Sequence, residues 1–449
     1  LLFDNADYIR WGMQCFDALL ENTVDRDGMY YETSLGYAVF TRGVFLDMAE
    51  LLANYRPEKY AGKPGDFPPA RNYFDHPKLQ KLVVDNHDLD LAGHRISLGN
   101  SHGSNSVIEK PRAVNSVTQQ MELARVARYT TDENLRARLR KLMAAGADTS
   151  PPRAPVAPWW WLFNETGPMP EKDGVAGDFN FIGDGRFFST KGMAAFQFGD
   201  WPNKRGFVVR GGPNLPHAHD DNLGLNLFDL GRELCAEIGY GTFDTPLHKG
   251  WATRAISHCL VTVDGDAATE SYFKKTPGAS WRSYLNGPVV KFMDADGSAQ
   301  FPADVLRVEK YRRRIAAVVV DEAHTYYVDL FDVTGGSFRD YSFHAPYHDT
   351  LLTNALTLEG VKPDPVKGAW TLAGLSPEFR DAPWNAPGRS WGERVGSAES
   401  IRPVNPPDQM GGYGWTPPGR GYGFLYNLRG GTTARPWSAT WALPGRDKA

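Results

Sequence analysis

Cysteine is nearly absent from this chain: Cys15, Cys235 and Cys259 are the only three in 449 residues, too few for the framework of a disulfide-stapled scaffold. Cys235 and Cys259 read as small buried hydrophobes in preference to a bridge or metal ligands. Long apolar runs are missing too. None approaches the ~18 residues that cross a bilayer, so no membrane span is expected. Nor is there an excess of charge of one sign, since 49 basic and 53 acidic residues leave a formal net charge of −4. That balance argues against a nucleic-acid partner and does not by itself favour a polyanion. Two glycine-bearing stretches, DGRFFSTKG and GGYGWTPPGRGYG, lack the strand-loop-helix setting of a phosphate cradle, so no nucleotide is inferred. There is no internal repeat. The first residue is Leu rather than Met, and no signal peptide is visible.

What is present divides into two regimes. WGMQCFDALLEN, GYAVFTRGVFLDMAELLANY, VTQQMELARVARY and ENLRARLRKLMAAGA space their apolar residues by three and four, the helical period, with Thr131 or Asp132 placed to cap the last of them. Between the second and third lies a polar, Gly- and Ser-containing loop, LAGHRISLGNSHGSNSVIEKP. A Pro-rich stretch with three consecutive tryptophans, TSPPRAPVAPWWWLFNETGPMPEKDG, then marks the boundary. Beyond it the period becomes two, in GRFFSTKGMAAFQFGD, RGFVVRGG, RRRIAAVVVDEAHTYYVDLFDVTGG, RGYGFLYNLRG and WSATWALP. The length exceeds one ordinary core. The expected organisation is therefore α+β and multidomain: a helical unit over 1–168, a linker over 169–183 and an antiparallel β unit over 184–449.

The densest chemistry lies between Gly211 and Gly265, which holds four of the eleven histidines. His217 and His219 share one face if that segment is extended. LGLNLFDLGREL and CAEIGYG read as strands turning through Asp229 to Arg232. His219, Glu237 and His258 come from three successive strand-like segments. Imidazole nitrogens and a carboxylate are what a zinc site accepts. Taken singly, the histidines are as readily structural, and Glu237 reads equally as a buried acceptor.

The HxHxD pattern, the Gly turn, the acid before GYG, the Pro-Leu segment and the His before a strand ending in VDG resemble the heparinase II/III-like polysaccharide lyases. DGMYYETSLGYAVFTRGVFLDMAELL resembles the same family's segment with a tyrosine at the head of a helix. The resemblance implies an α/α toroid, here incomplete at its N-terminus, packed on a large antiparallel β-sandwich with the substrate cleft between them. It implies Tyr37 and His217 as the catalytic pair. It also implies a chiefly structural zinc ion held by His219, Glu237 and His258. It implies an acidic polysaccharide or oligosaccharide as substrate and a periplasmic or secreted location. Three positions depart from the pattern: Glu237 stands for Asp, Cys259 for Asn and His248 for an aromatic residue. Glu32, five residues before Tyr37, is assigned to the substrate region with Asn100, His102, His248 and Arg254. A guanidinium suits carboxylate or sulfate.

The chemistry explains the residue types. Eliminating the 4-O-glycoside of a uronate removes the C5 proton, which is weakly acidic until the adjacent carboxylate is neutralised by hydrogen-bond donors. Tyrosine supplies a proton to the leaving oxygen, or takes one in syn geometry. Histidine, with an ordinary pKa of about 6.5, serves in either sense. Two other readings stay open. A glycoside hydrolase would need a carboxylate pair, for which Asp220, Asp221 and Glu32 are on offer. A catalytically silent glycan-binding or metal-stabilised relative needs neither Tyr37 nor His217 in action. His344 and His348, in YSFHAPYHD, are read as sheet-edge structure.

Overall fold

The structure is a computed structural model, and it describes residues 5–85, 90–92, 94–101, 117–146, 184–200, 203–229, 232–235, 253–264, 278–301, 308–346 and 422–431. Within these the chain is α+β, with helices first and antiparallel sheets after.

Helix α1 (Ala6–Thr23) starts where the Asn5 side chain accepts from the amides of Asp7 and Tyr8. It buries Ile9, Met13, Phe16 and Leu20, spaced four, three and four apart. Helix α2 (Leu35–Ala53) starts at Ser34, whose hydroxyl accepts from the Tyr37 amide. Its Phe45, Leu46, Ala49 and Leu52 meet the α1 stripe in one core. The short helix α3 (Pro77–Gln80) leads to α4 (Val117–Tyr129) and α5 (Glu133–Gly146). Of the two expected caps for α5, Asp132 is the one used: its carboxylate accepts from the amides of Asn134 and Leu135. Arg42 of α2 and Glu122 of α4 form a buried ion pair, 2.7 Å apart, that ties the two helices together.

A two-residue ladder, β1 (Asp90–Leu91) with β2 (His94–Arg95), lies inside the loop read as irregular. The main sheet has five antiparallel strands in sequential order: β3 (Gly185–Phe188), β4 (Met193–Phe198), β5 (Arg205–Arg210), β6 (Leu225–Asp229) and β7 (Arg232–Cys235). Every residue of β4, β5 and β6 is buried, so both faces of this sheet are covered. Alternation along the strands decides what covers each face. Ala194, Phe196, Phe207 and Val209 join the core that also contains Met293, Tyr311 and Ile315. Met193, Ala195, Val208 and Phe228 face the other way, onto Met29, Leu35, Leu91, Ile96 and Leu98. That second cluster is the apolar seam between the helical part and the sheet.

Strands β8 (Val261–Val263), β13 (Phe338–Pro346) and β14 (Tyr422–Gly431) form a three-stranded sheet with β13 at its centre. His344 lies on β13 beyond the three residues paired with β8 and is matched with Phe424 of β14, while His348 lies outside the described residues. Strands β9 (Ser280–Asn286), β10 (Val290–Asp296), β11 (Val308–Val319) and β12 (Thr325–Gly335) form a four-stranded sheet. Arg313 on β11 is wholly buried. It pairs with Asp329 and donates from Nη1 to the carbonyls of Leu223 and Cys259, both at 2.5 Å. A buried guanidinium is tolerable because its donors are met in this way.

One sequence expectation is overturned here. Cys235 and Cys259 form a disulfide, with Cα atoms 6.7 Å apart across 24 residues of sequence. The β6–β7 hairpin and the segment after His258 lie against one another, a proximity that the wide spacing in the chain conceals. The proposed linker over 169–183 lies outside the described residues.

Candidate active site

Three segments distant in sequence meet at the seam. The first is the turn before α2. The Asp25 carboxylate accepts from the amides of Asp27 and Met29, closing a tight turn with Gly28 at φ 79°. The chain then runs through Glu32 and Thr33 to the Ser34 cap, so Tyr37 stands in the first turn of α2. The second is the run Ile96 to Ser101. The third is the loop from Gly211 to Leu223.

These segments are stitched by hydrogen bonds. The Thr33 amide donates to the Pro216 carbonyl at 3.2 Å, and the Leu215 amide to the Thr33 hydroxyl at 3.1 Å. The Asn100 amide donates to the His217 carbonyl at 3.0 Å. Ser34 Oγ donates to the Asn100 carbonyl at 2.6 Å, and the Gly36 amide to Ser101 Oγ at 2.9 Å. Gly99 has φ +57°, and a Cβ there would stand 2.2 Å from the His217 carbonyl oxygen. This close approach needs glycine twice over, for its conformation and for its missing side chain.

Arg210, at the end of β5, is the hub of the third segment. Its guanidinium is buried, pairs with Asp221, and donates to Asn214 and to the carbonyls of Gly212 and Pro213. Sequence reading passed over it. The signal was there, in a charged residue ending the apolar run RGFVVR just before a loop of histidines and acids.

On this frame the side chains converge. His217 has φ 58°, a left-handed conformation uncommon for a residue with a Cβ. The segment is a turn there and not an extended strand, so the shared-face argument for His217 and His219 does not apply. The turn sends the two imidazoles to different partners. His217 Nδ1 lies 2.7 Å from Glu32 Oε2. The His217 ring is stacked on Tyr37, with centroids 3.6 Å apart and planes 8° from parallel. The His217 side chain is 30% exposed while that of Glu32 is 11%, so the pair is anchored inside and opens outward through the imidazole. A carboxylate accepting from Nδ1–H fixes the tautomer and leaves Nε2 as the basic nitrogen.

His219 points inward and is buried, with Nε2 2.9 Å from the Asn100 side-chain oxygen. Its neighbour is the buried His258, at ring centroids 5.5 Å. An amide oxygen accepting from Nε2–H puts the ring's lone pair on Nδ1 of His219. No cluster of three or more metal-binding side chains occurs among the described residues; Glu237 lies outside them. Two of the three expected ligands, His219 and His258, are thus brought together as buried neighbours, and imidazole nitrogens are ligands that zinc accepts.

The remaining expected residues are dispersed. Asn100 is buried and engaged with His219 rather than open to solvent. Arg254 is partly exposed at the start of the 3-10 turn Ala255–Ser257 that leads to His258. His102 and His248 lie outside the described residues. The acids considered for hydrolysis are committed elsewhere. Asp220 and Asp221 are each 2% exposed, Asp221 is paired with Arg210, and Glu32 is engaged by His217.

No family model and no curated protein matches the chain. Several solved structures do, at low identity. One is a heparinase III gene product: 14% identical, TM-score 0.49, covering 76% of this chain and 44% of its own. Another is the heparan sulfate lyase HepC from Pedobacter heparinus: 15% identical, TM-score 0.48, covering 80% and 46%. A third is heparinase III: 15% identical, TM-score 0.49, covering 75% and 46%. The chain spans less than half the length of each. This is a distant likeness of fold, and the chemistry of the site stands on its own side chains.

Proposed function

We propose that this chain carries the proton-transfer site of a polysaccharide lyase, one that cleaves a uronic-acid-containing glycan by β-elimination. A single observation supports the reading most: a buried carboxylate, Glu32, orients a half-exposed imidazole, His217, against which the Tyr37 ring is stacked.

In the proposed reaction His217 Nε2 takes the C5 proton, and Glu32 stabilises the imidazolium that forms. The electron pair of the C5–H bond becomes the C4–C5 double bond as the C4–O bond breaks. The departing oxygen receives the Tyr37 phenol proton, and the two side chains are reset by exchange with solvent. Neutralising the uronate carboxylate needs hydrogen-bond donors, the role assigned to Arg254, His102 and His248, while Asn100 is engaged with His219. Zinc, when bound, would pin the two loops that carry His219 and His258, with Glu237 completing the set. The Cys235–Cys259 disulfide agrees with a periplasmic or secreted location. No helix among the described residues is long and apolar enough to cross a membrane.

The test is absorbance of the conjugated unsaturated uronate during incubation with heparan sulfate, alginate and hyaluronan. Tyr37→Phe and His217→Ala run alongside. A rising signal, lost in both variants, is the expected result. Silence on every polymer, with glycan binding retained, would replace this reading by that of a non-catalytic relative.

A further inference from the structure

The turn between β3 and β4 is fastened to the loop that precedes α2. Arg26 donates to Ser189 Oγ at 2.6 Å, Arg186 donates to the Asp27 carbonyl at 3.2 Å, and Thr190 donates to both the Asp25 and Asp27 carboxylates. These contacts end at Asp27. One residue of the same turn reaches further: Lys191, 7% exposed, donates from Nζ to the main-chain carbonyl of Glu32.

A buried ammonium is a costly way to satisfy one carbonyl, because its charge must also leave water. The groups facing it are Asp25, Glu32 and Arg210, of which Arg210 opposes its charge and the two acids favour it. Burial outweighs the acids and lowers the lysine to about 7 from its ordinary 10.5. The Asp25 carboxylate has other donors in Asp27, Met29 and Thr190, so it does not require Lys191 as a counter-ion. What the ammonium does distinctively is hold Glu32.

We propose that Lys191 is a positioning residue of the candidate site: its ammonium fixes the main chain of Glu32 and thereby the carboxylate that orients His217. The inference rests on the lyase reading for its kinetic consequence but not for its geometry. Displacement of a catalytic group by about an ångström costs roughly 100-fold in rate, and the Glu32 main chain is one side chain's length from the carboxylate of the Glu32–His217 dyad. Because the lysine titrates near neutrality, the hold weakens as pH rises.

The experiment compares Lys191→Met, which is similar in length and uncharged, with Lys191→Arg, which stays charged at every accessible pH. With elimination as the readout, Lys191→Met is expected to lower kcat on the order of 10- to 100-fold with little change in KM. Lys191→Arg is expected to restore most of it and to extend activity to higher pH than wild type. The second readout needs no activity. In ¹⁵N NMR, wild-type His217 is expected to carry its proton on Nδ1, and Lys191→Met to show a mixture of tautomers. Thermal melting checks that each variant folds. Should Lys191→Met not fold, Lys191→Gln takes its place with the same readouts. An unchanged kcat, pH profile and His217 tautomer in the folded neutral variant would overturn the proposal. Absence of elimination in wild type itself would instead defeat the lyase reading, and the NMR arm would still decide the role of Lys191.

Discussion

The Nδ1 atom of His217 lies 2.7 Å from Oε2 of Glu32, a contact between residues 185 positions apart. It gives the imidazole a fixed tautomer and a nearby anion for the charge it acquires on taking a proton. Glu32→Gln preserves shape and an acceptor but removes that anion. We expect kcat to fall by at least ~100-fold with KM nearly constant, as when a catalytic histidine loses its carboxylate partner. Steady-state kinetics on whichever glycan is cleaved will check it. A matched fall in kcat and rise in KM would instead place Glu32 on the substrate, the role its sequence context first suggested.

Much of this was legible in the sequence, and the illegible part has physical causes. The apolar period of WGMQCFDALLEN is a local pattern, and Met13, Phe16 and Leu20 are observed as one buried stripe. Tyr37 near the head of a helix came from the resemblance, and the Ser34 cap that starts α2 there went unread. Strands β9 and β10 went unread because SWRSYLN alternates poorly and is largely exposed, and VKFMDAD carries acids that neighbouring arginines neutralise only in the folded sheet. The dyad itself cannot be read from spacing, since Glu32 and His217 meet only when the loop before α2 closes on the sheet. The same holds for Lys191 and for the Cys235–Cys259 bond. Left-handed φ at His217 defeated the extended-strand argument, because nothing in PHAHD announces a turn at that residue.

Gly99 offers a test of the frame independent of catalysis. Its φ of +57° and the 2.2 Å that would separate a new Cβ from the His217 carbonyl oxygen make Gly99→Ala doubly unfavourable. The loop must move, carrying with it the Asn100 amide that donates to His217. We expect a loss of about 1–3 kcal/mol in stability, measured by urea unfolding, together with a fall in elimination rate. Gly43, whose added Cβ would meet nothing within 4 Å, is the internal control. Gly43→Ala in α2 should be neutral or slightly stabilising. Equal behaviour of the two alanine variants would mean that Gly99 does not bear on His217.

The zinc reading makes a separable claim about stability. Metal that binds only the folded chain stabilises it by about 2.7 kcal/mol at a hundredfold excess over Kd. Chelation should therefore lower the melting temperature of wild type, and zinc should restore it. His258→Ala should contain less metal by atomic absorption and respond weakly to chelator. Asn100→Ala should retain some metal at reduced affinity, because the amide orients His219 without ligating. If chelator leaves the wild-type melting curve unchanged and no zinc copurifies, the two buried histidines are structural on their own.

Lys191 carries a last consequence, for stability against pH. Its folded value of about 7 lies below the ordinary 10.5, since burial penalises the charged form. In the unfolded chain the lysine stays protonated through that interval, so between about pH 7 and 10.5 the unfolded state binds more protons. Stability from this group must then rise with pH, by up to about 5 kcal/mol across the window, and stay flat below it. The difference in unfolding free energy between wild type and Lys191→Met isolates the effect from the tyrosines, which also titrate at the alkaline end. Wild type should gain on the variant as pH climbs from 7 to 9.5. Curves that stay parallel would mean that the lysine is not held in a desolvated site. The sign also sets stability against function, because the pH that relieves the buried charge is the pH at which the hold on Glu32 is weakest. Above neutrality the protein should grow harder to unfold while its proton-transfer site loosens, and only Lys191→Arg should escape that opposition, keeping the hold and forgoing the gain in stability.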